Sequence, residues 1–104
     1  MILKYGSLAL ILSRLKWVAK IVVPAIMGST AYKKNGALIL TWDEAISGNG
    51  PIGFILLSPQ AKGKGYSNSI YYTHSSLLRS LEYTTGVHFL NDARIQSDLS
   101  DLFK

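Results

Sequence analysis

Gly36-Ala37-Leu38-Ile39-Leu40-Thr41-Trp42-Asp43-Glu44 is the stretch on which the fold turns. Four consecutive apolar residues, Ala37 to Leu40, lead through Thr41 and Trp42 into two adjacent carboxylates. A short run that is apolar throughout reads as a strand covered on both faces, as in the parallel sheet of an α/β domain. Open α/β sheets bind their ligands just beyond the carboxyl ends of such strands. Asp43 and Glu44 therefore sit where chemistry is expected, and they are the first acids in the chain. A plainer reading stays open, in which Asp43 caps a following helical turn and Glu44 is solvated.

Outward from this strand, the composition describes a packed domain. The chain has 104 residues, 48% hydrophobic and 16% charged, which is the balance of a folded segment rather than a disordered one. The absence of cysteine excludes disulfides and thiolate metal sites. The net charge of +5 is unevenly placed: Lys4, Arg14, Lys16, Lys20, Lys33 and Lys34 precede the first acid. Such a half suits phosphate, nucleic acid or an anionic membrane surface, or else one solvated helix face.

On the amino-terminal side, the longest uncharged runs are Tyr5–Ser13 and Ile21–Tyr32, nine and twelve residues. A membrane span needs about twenty, so no transmembrane helix is expected. Lys4 and Leu8–Leu12 loosely imitate an export signal, but Arg14 and Lys16 follow at once and no small-residue cleavage site appears. Helical spacing puts Leu8, Ile11, Leu12, Leu15, Val18, Ala19 and Val22 on one face. That predicts an amphipathic helix from about Ser7 to Val23, kinked at Pro24, with its apolar face packed against a sheet. A short helix over Ser29–Lys34 follows, stopped by Asn35-Gly36, both tolerant of left-handed backbone.

On the carboxyl-terminal side, Pro51 opens a second apolar run, Ile52–Leu57. Only Glu44–Gly50, seven residues, separates the two runs. A parallel crossover needs more, so the strands are antiparallel neighbours or not adjacent. Ser58–Ser69 is a glycine-bearing basic loop without phosphate-loop spacing. Thr73–Thr85 is a clear helix, capped by Thr73 or Ser75, striped by Leu77, Leu78 and Leu81, and ended by Gly86. His74 falls in its first turn, where a histidine is either a surface cap residue or an active-site group. Val87–Leu90 reads as extended, and the Leu102-Phe103 pair of the tail as docking back onto the core. No zinc-spaced histidine pair, nucleophile elbow or dinucleotide fingerprint is present, and no aromatic-basic pattern forms a nucleic-acid platform.

Several segments in order resemble the carboxyl-terminal part of the bacterial phosphoesterase family. That family covers acid phosphatases and phospholipase C-type enzymes of the alkaline phosphatase-like superfamily. The resemblance begins at Trp17 and takes in Val23-Pro24-Ala25-Ile26-Met27 with Ser29, and Ala31-Tyr32-Lys33-Lys34-Asn35-Gly36. It continues with Thr41-Trp42-Asp43-Glu44, Gly50-Pro51-Ile52-Gly53 and Leu57-Ser58-Pro59. It is strongest over Tyr72-Thr73-His74-Ser75-Ser76-Leu77-Leu78-Arg79-Ser80-Leu81-Glu82. It closes with Gly86, Leu90-Asn91-Asp92-Ala93 and Leu99-Ser100-Asp101-Leu102-Phe103, a span of about 85 residues. Residues 1–16 stand apart from it as a divergent helical segment, leaving 17–104 as the phosphoesterase part.

The resemblance implies an α/β fold, a fragment of a three-layer sandwich with a mostly parallel central sheet flanked by helices. It implies hydrolysis of phosphoric esters dependent on a divalent metal ion, with Asp43 and Glu44 as carboxylate ligands. Two anionic oxygens at a strand end suit such a cation. His74 corresponds to the family's histidine near the active site, with no role assigned. Arg79 and Glu82 read as a structural (i, i+3) pair. Family members are several times longer, and their nucleophile and remaining metal ligands lie in an amino-terminal half with no counterpart here. Many also carry Gly-Gly-x-x-Asp-His soon after Asp-Glu, where this chain has Ala45-Ile46-Ser47-Gly48-Asn49-Gly50. The expectation is a fragment inactive by itself, which self-associates or pairs with a missing half because its sheet edges and apolar faces lack cover. Two other functions compete. One is a module whose basic helix binds anionic lipid or nucleic acid, and the other is a degenerate remnant without function.

Overall fold

The computed structural model describes residues 13–45, 50–63 and 65–104. Within it the chain forms two compact units, Met1–Gln60 and Ala61–Lys104. It is a mixed helix and strand structure, so the α/β expectation holds at that level. The part of the amino-terminal helix expected over residues 7–12 lies outside the described residues, as do Leu8, Ile11 and Leu12.

In the first unit, helix α1 spans residues 13–27 in three stretches. Residues 13–17 and Val23–Met27 are α-helical, and Val18–Val22 between them is a π-helix. Pro24 explains this break. Proline brings no N–H and its ring crowds the carbonyl four residues back, so an unbroken α-helix cannot pass through it. The chain widens by one residue per turn instead, and Val23 N–H bonds to the Val18 carbonyl five residues back. The kink foreseen at Pro24 is thus a π-segment on its amino-terminal side.

The face expected to pack is covered only in part. Val18 and Val22 are half-buried, while Leu15 and Ala19 are exposed; Trp17 and Ile21, which lie off that face, are 58% and 57% exposed. After α1, Ser29 caps α2 (Thr30–Lys33). Its hydroxyl accepts the Tyr32 N–H at 3.2 Å and donates to the Ile26 carbonyl at 2.6 Å, joining the two helices. Asn35 then takes φ 65°, the left-handed conformation expected of it.

Strand β1 (Leu38–Thr41) pairs antiparallel with β2 (Phe54–Leu57), Leu38 opposite Leu57 and Thr41 opposite Phe54. The antiparallel option for this short connection is the one realised. Among the described residues the sheet has these two strands alone, and no parallel pair is seen. Nor is β1 covered on both faces: Leu38, Ile39 and Leu40 are half-buried and Thr41 is exposed. The continuous apolar run thus identified a strand but not its burial, since two strands cannot enclose a strand that a broader sheet could. Side chains lock the far end of the pair. Ser58 Oγ donates to the Gly36 carbonyl at 2.8 Å, and Gln60 Nε2 donates to Asn35 Oδ1 at 2.8 Å.

The second unit is built on α3 (His74–Thr85). Ser76 Oγ accepts the Thr73 N–H at 2.9 Å, the return half of a capping box with serine in place of the usual glutamate. Gly86 ends the helix at φ 73°, with Val87 N–H reaching back to the Glu82 carbonyl at 3.1 Å. The side of α3 that is buried differs from the leucine stripe. Leu78 and Leu81 are 39% and 52% exposed, whereas Ser76 and Glu82 are at 0% and 4%. Residues 87–90 are irregular, followed by 3-10 turns Asn91–Ile95 and Ser100–Leu102. The tail docks as expected, through an Ala61–Phe103 bridge and a 3.0 Å bond from Lys62 N–H to the Leu102 carbonyl.

Candidate functional site

The site begins with the way β1 ends. Thr41 Oγ1 donates across the ladder to the Gly53 carbonyl at 2.8 Å, closing the last rung. One position further on, Trp42 lies across Gly53. A Cβ built on Gly53 would stand 1.7 Å from Trp42 Cη2 and 2.1 Å from Cζ2. The indole thus occupies the space that any other residue at 53 would fill, an aromatic ring laid over the glycine that leads into the facing strand. Directly after this lock come Asp43 and Glu44, both exposed.

Asp43 Oδ1 accepts the Glu44 N–H at 3.0 Å, so the carboxylate is folded back on its own backbone. Residues 43–45 are not helical; the helical turn that Asp43 would cap runs into Ile46 to Asn49, which lie outside the described residues. The two carboxylates are side by side in the chain, exposed, at the carboxyl end of a strand. They do not amount to a metal centre by themselves. Hard divalent cations take six or more oxygen ligands, and among the described residues no three His, Cys, Asp or Glu side chains converge. His74 is the first residue of α3 in the second unit and is exposed. The basic loop expected at 58–69 has Lys64 outside the described residues.

Around α3 the polar side chains are structural, with a different pairing from the one expected. Arg79 and Glu82 do not form an ion pair; each instead holds the segment that follows the helix. Arg79 Nη1 donates to the carbonyls of Ala93 (3.1 Å) and Arg94 (2.7 Å), with its guanidinium 4.3 Å from the Phe89 ring. Glu82 Oε1 accepts the Leu90 N–H at 3.1 Å, and Oε2 is buried with no hydrogen-bond partner among the described residues. Ser80 Oγ donates to the Ser76 carbonyl at 3.0 Å and accepts the Leu99 N–H at 2.9 Å.

A polar hub absent from the sequence reading is centred on Asp101. Its carboxylate accepts from Tyr66 Oη (2.7 Å), Asn68 Nδ2 (2.7 Å) and Lys62 Nζ (3.1 Å). These three donors, led by Tyr66, pull the Asp101 pKa down to about 2, and the same bond raises that of Lys62. Asn68 Nδ2 also reaches Tyr72 Oη at 3.0 Å. A neighbouring carboxylate, Asp98, is lowered by the Ser100 hydroxyl and amide it accepts at 2.5 and 3.0 Å. No periodicity marks partners more than thirty residues apart. The only local sign was the cluster of Lys62, Tyr66 and Asn68 in one loop.

Compared with models of known protein families, with curated proteins and with solved structures, the chain matches none.

Proposed function

We propose that this chain is the carboxyl-terminal part of a metal-dependent phosphoesterase and supplies Asp43 and Glu44 to a divalent-cation site. The reading rests on the ordered resemblance from Trp17 to Phe103, and one observation carries it into three dimensions. The two adjacent carboxylates are exposed at the carboxyl end of β1, where α/β enzymes bind their ligands. On this reading β1 and β2 belong to the central sheet of an alkaline phosphatase-like sandwich, and His74 is the counterpart of the family's active-site histidine. A divalent cation held there would screen the phosphate charge and polarise its oxygens.

What this chain contributes is the anionic half of that site. Asp43 is held towards its own backbone by the Glu44 amide, and the Trp42–Gly53 lock fixes the strand end from which both carboxylates project. The nucleophile and further ligands belong to residues other than these, so the chain alone hydrolyses no phosphate ester.

Terbium luminescence tests the metal half directly, because an indole close to the ion transfers its excitation to it and Trp42 adjoins the carboxylates. Added terbium is expected to light up the parent protein and to stay dark with Asp43→Asn/Glu44→Gln. Equal luminescence from both proteins would sink the assignment. Metal-dependent hydrolysis of p-nitrophenyl phosphate by the purified chain, lost on Asp43→Ala, would instead overturn the claim that it needs a second half.

A further inference from the structure

The exposed side of α1 plays no part in the phosphoesterase reading. Trp17 and Ile21, one turn apart, form a ridge that is 58% and 57% exposed. Within the α-helical stretch 13–17, at about 100° per residue, Arg14 falls on one flank of Trp17 and Lys16 on the other; Lys20 follows in the π-helical stretch, next to Ile21 in the chain. Ser13, Arg14, Trp17 and Val18 line a shallow hollow beside it. The half-buried Val18 and Val22 mark the inner side of the helix, away from the lysines. There is no acid anywhere in α1 or α2 to neutralise these cations.

We propose that this face of α1 docks the protein on an anionic lipid surface. An aromatic and a branched aliphatic side chain between two cationic flanks match the boundary of a charged bilayer. The ring and the isoleucine enter the headgroup layer, while lysine and arginine stems lie along it and hold their charges at the lipid phosphates. The helix lies on such a surface rather than through it, since no helix among the described residues is long and apolar enough to cross a membrane. Charge complementarity selects the lipid. Duplex nucleic acid would use the same three cations but gain little from an exposed isoleucine ridge, and an uncharged protein groove would gain nothing from the cations.

The test uses the full chain carrying Trp42→Phe, so that emission reports Trp17 alone. It is titrated with vesicles of pure phosphatidylcholine, and of phosphatidylcholine with an equal part of phosphatidylglycerol. Binding is expected only to the anionic vesicles, with a blue shift of Trp17 emission and a loss of affinity as salt rises. Lys16→Gln/Lys20→Gln is expected to weaken partitioning about thirtyfold, from about a sixfold contribution per basic residue at such a surface. Lys16→Arg/Lys20→Arg should retain it, and Arg94→Gln, which removes a charge from the second unit, should leave it unchanged. The proposal fails if phosphatidylcholine binds equally well, if the glutamine variant binds like its parent with helicity intact, or if Trp17 emission does not shift. Tighter binding to DNA than to anionic vesicles at equal phosphate would also overturn it. None of these outcomes depends on Asp43 or Glu44.

Discussion

Glu82 has one oxygen on the Leu90 amide and the other buried without a partner, which makes it a residue whose loss the second unit should feel. Glu82→Ala removes the acceptor that the Leu90 amide has among the described residues and empties the space beneath it. The expected cost is about 2 kcal/mol, read as a lower urea midpoint. Glu82→Gln keeps an acceptor for Leu90 and should cost less; an alanine variant as stable as the parent would contradict this role. Asp101 makes a different prediction, on pH. Its folded pKa of about 2 lies below the ordinary carboxylate value, so the unfolded chain binds the proton first as pH falls. Its contribution is therefore complete above about pH 4 and is lost as pH falls towards 2. Asp101→Asn should melt at a lower temperature than the parent near neutrality, and the gap should close on acidification through that window. A gap that is constant from neutral pH to about 2 would show that the carboxylate's charge plays no part. Neither role was legible in the sequence beforehand. Glu82 sits on a helix where the leucines advertise the apolar face, and its burial comes from the amide it serves rather than from any pattern.

At the scale of elements, continuous apolar runs identified the strands, and helical spacing identified α3, to within a residue or two. Local stereochemistry located the stops: Asn35 after α2 and Gly86 after α3 take the left-handed backbone expected of them. What the period could not tell was which face would be covered, because cover is supplied by neighbours and not by the element itself. Leu78 and Leu81 remain exposed on α3 for that reason, as does Leu15 on α1. The Trp42–Gly53 pair could be suspected only once Thr41 was known to face Phe54, since register brings 42 opposite 53. It supports a sharp prediction. Gly53→Ala drives a methyl group into the indole and should destabilise the hairpin by about 1–3 kcal/mol, the range for overpacking. The indole would be expelled, and its emission should shift to the red. Combining Gly53→Ala with Trp42→Ala should recover part of the loss, and the coupling is measured by a double-mutant cycle. Additive effects of the two substitutions would mean that the ring does not depend on the glycine.

For the molecule as a whole, the deciding fact is where burial occurs. Ala93 and Leu99 are the fully buried apolar residues among those described, and both belong to the second unit. No described residue of the first unit is fully buried. Leu15, Trp17, Ile21, Trp42 and Ile55 there remain roughly half exposed. Completing the burial of five such side chains is worth about 4–7 kcal/mol, at half of the 1.5–3 kcal/mol that full burial of each provides. That is comparable with the whole stability of a small domain, so a surface able to cover them would be strongly favoured. The two strands add to the demand, because each has one edge unpaired among the described residues. The net charge of +5 works the other way and keeps copies apart at low ionic strength. The purified chain is therefore expected to bind a hydrophobic dye such as ANS and to self-associate with concentration. Because salt screens the repulsion but leaves the apolar surface untouched, association should grow as salt rises. Light scattering across a salt series decides the matter. Association that weakens with salt would point to charge pairing between copies, and a chain that stays monomeric and dark to the dye would mean that the first unit needs no cover.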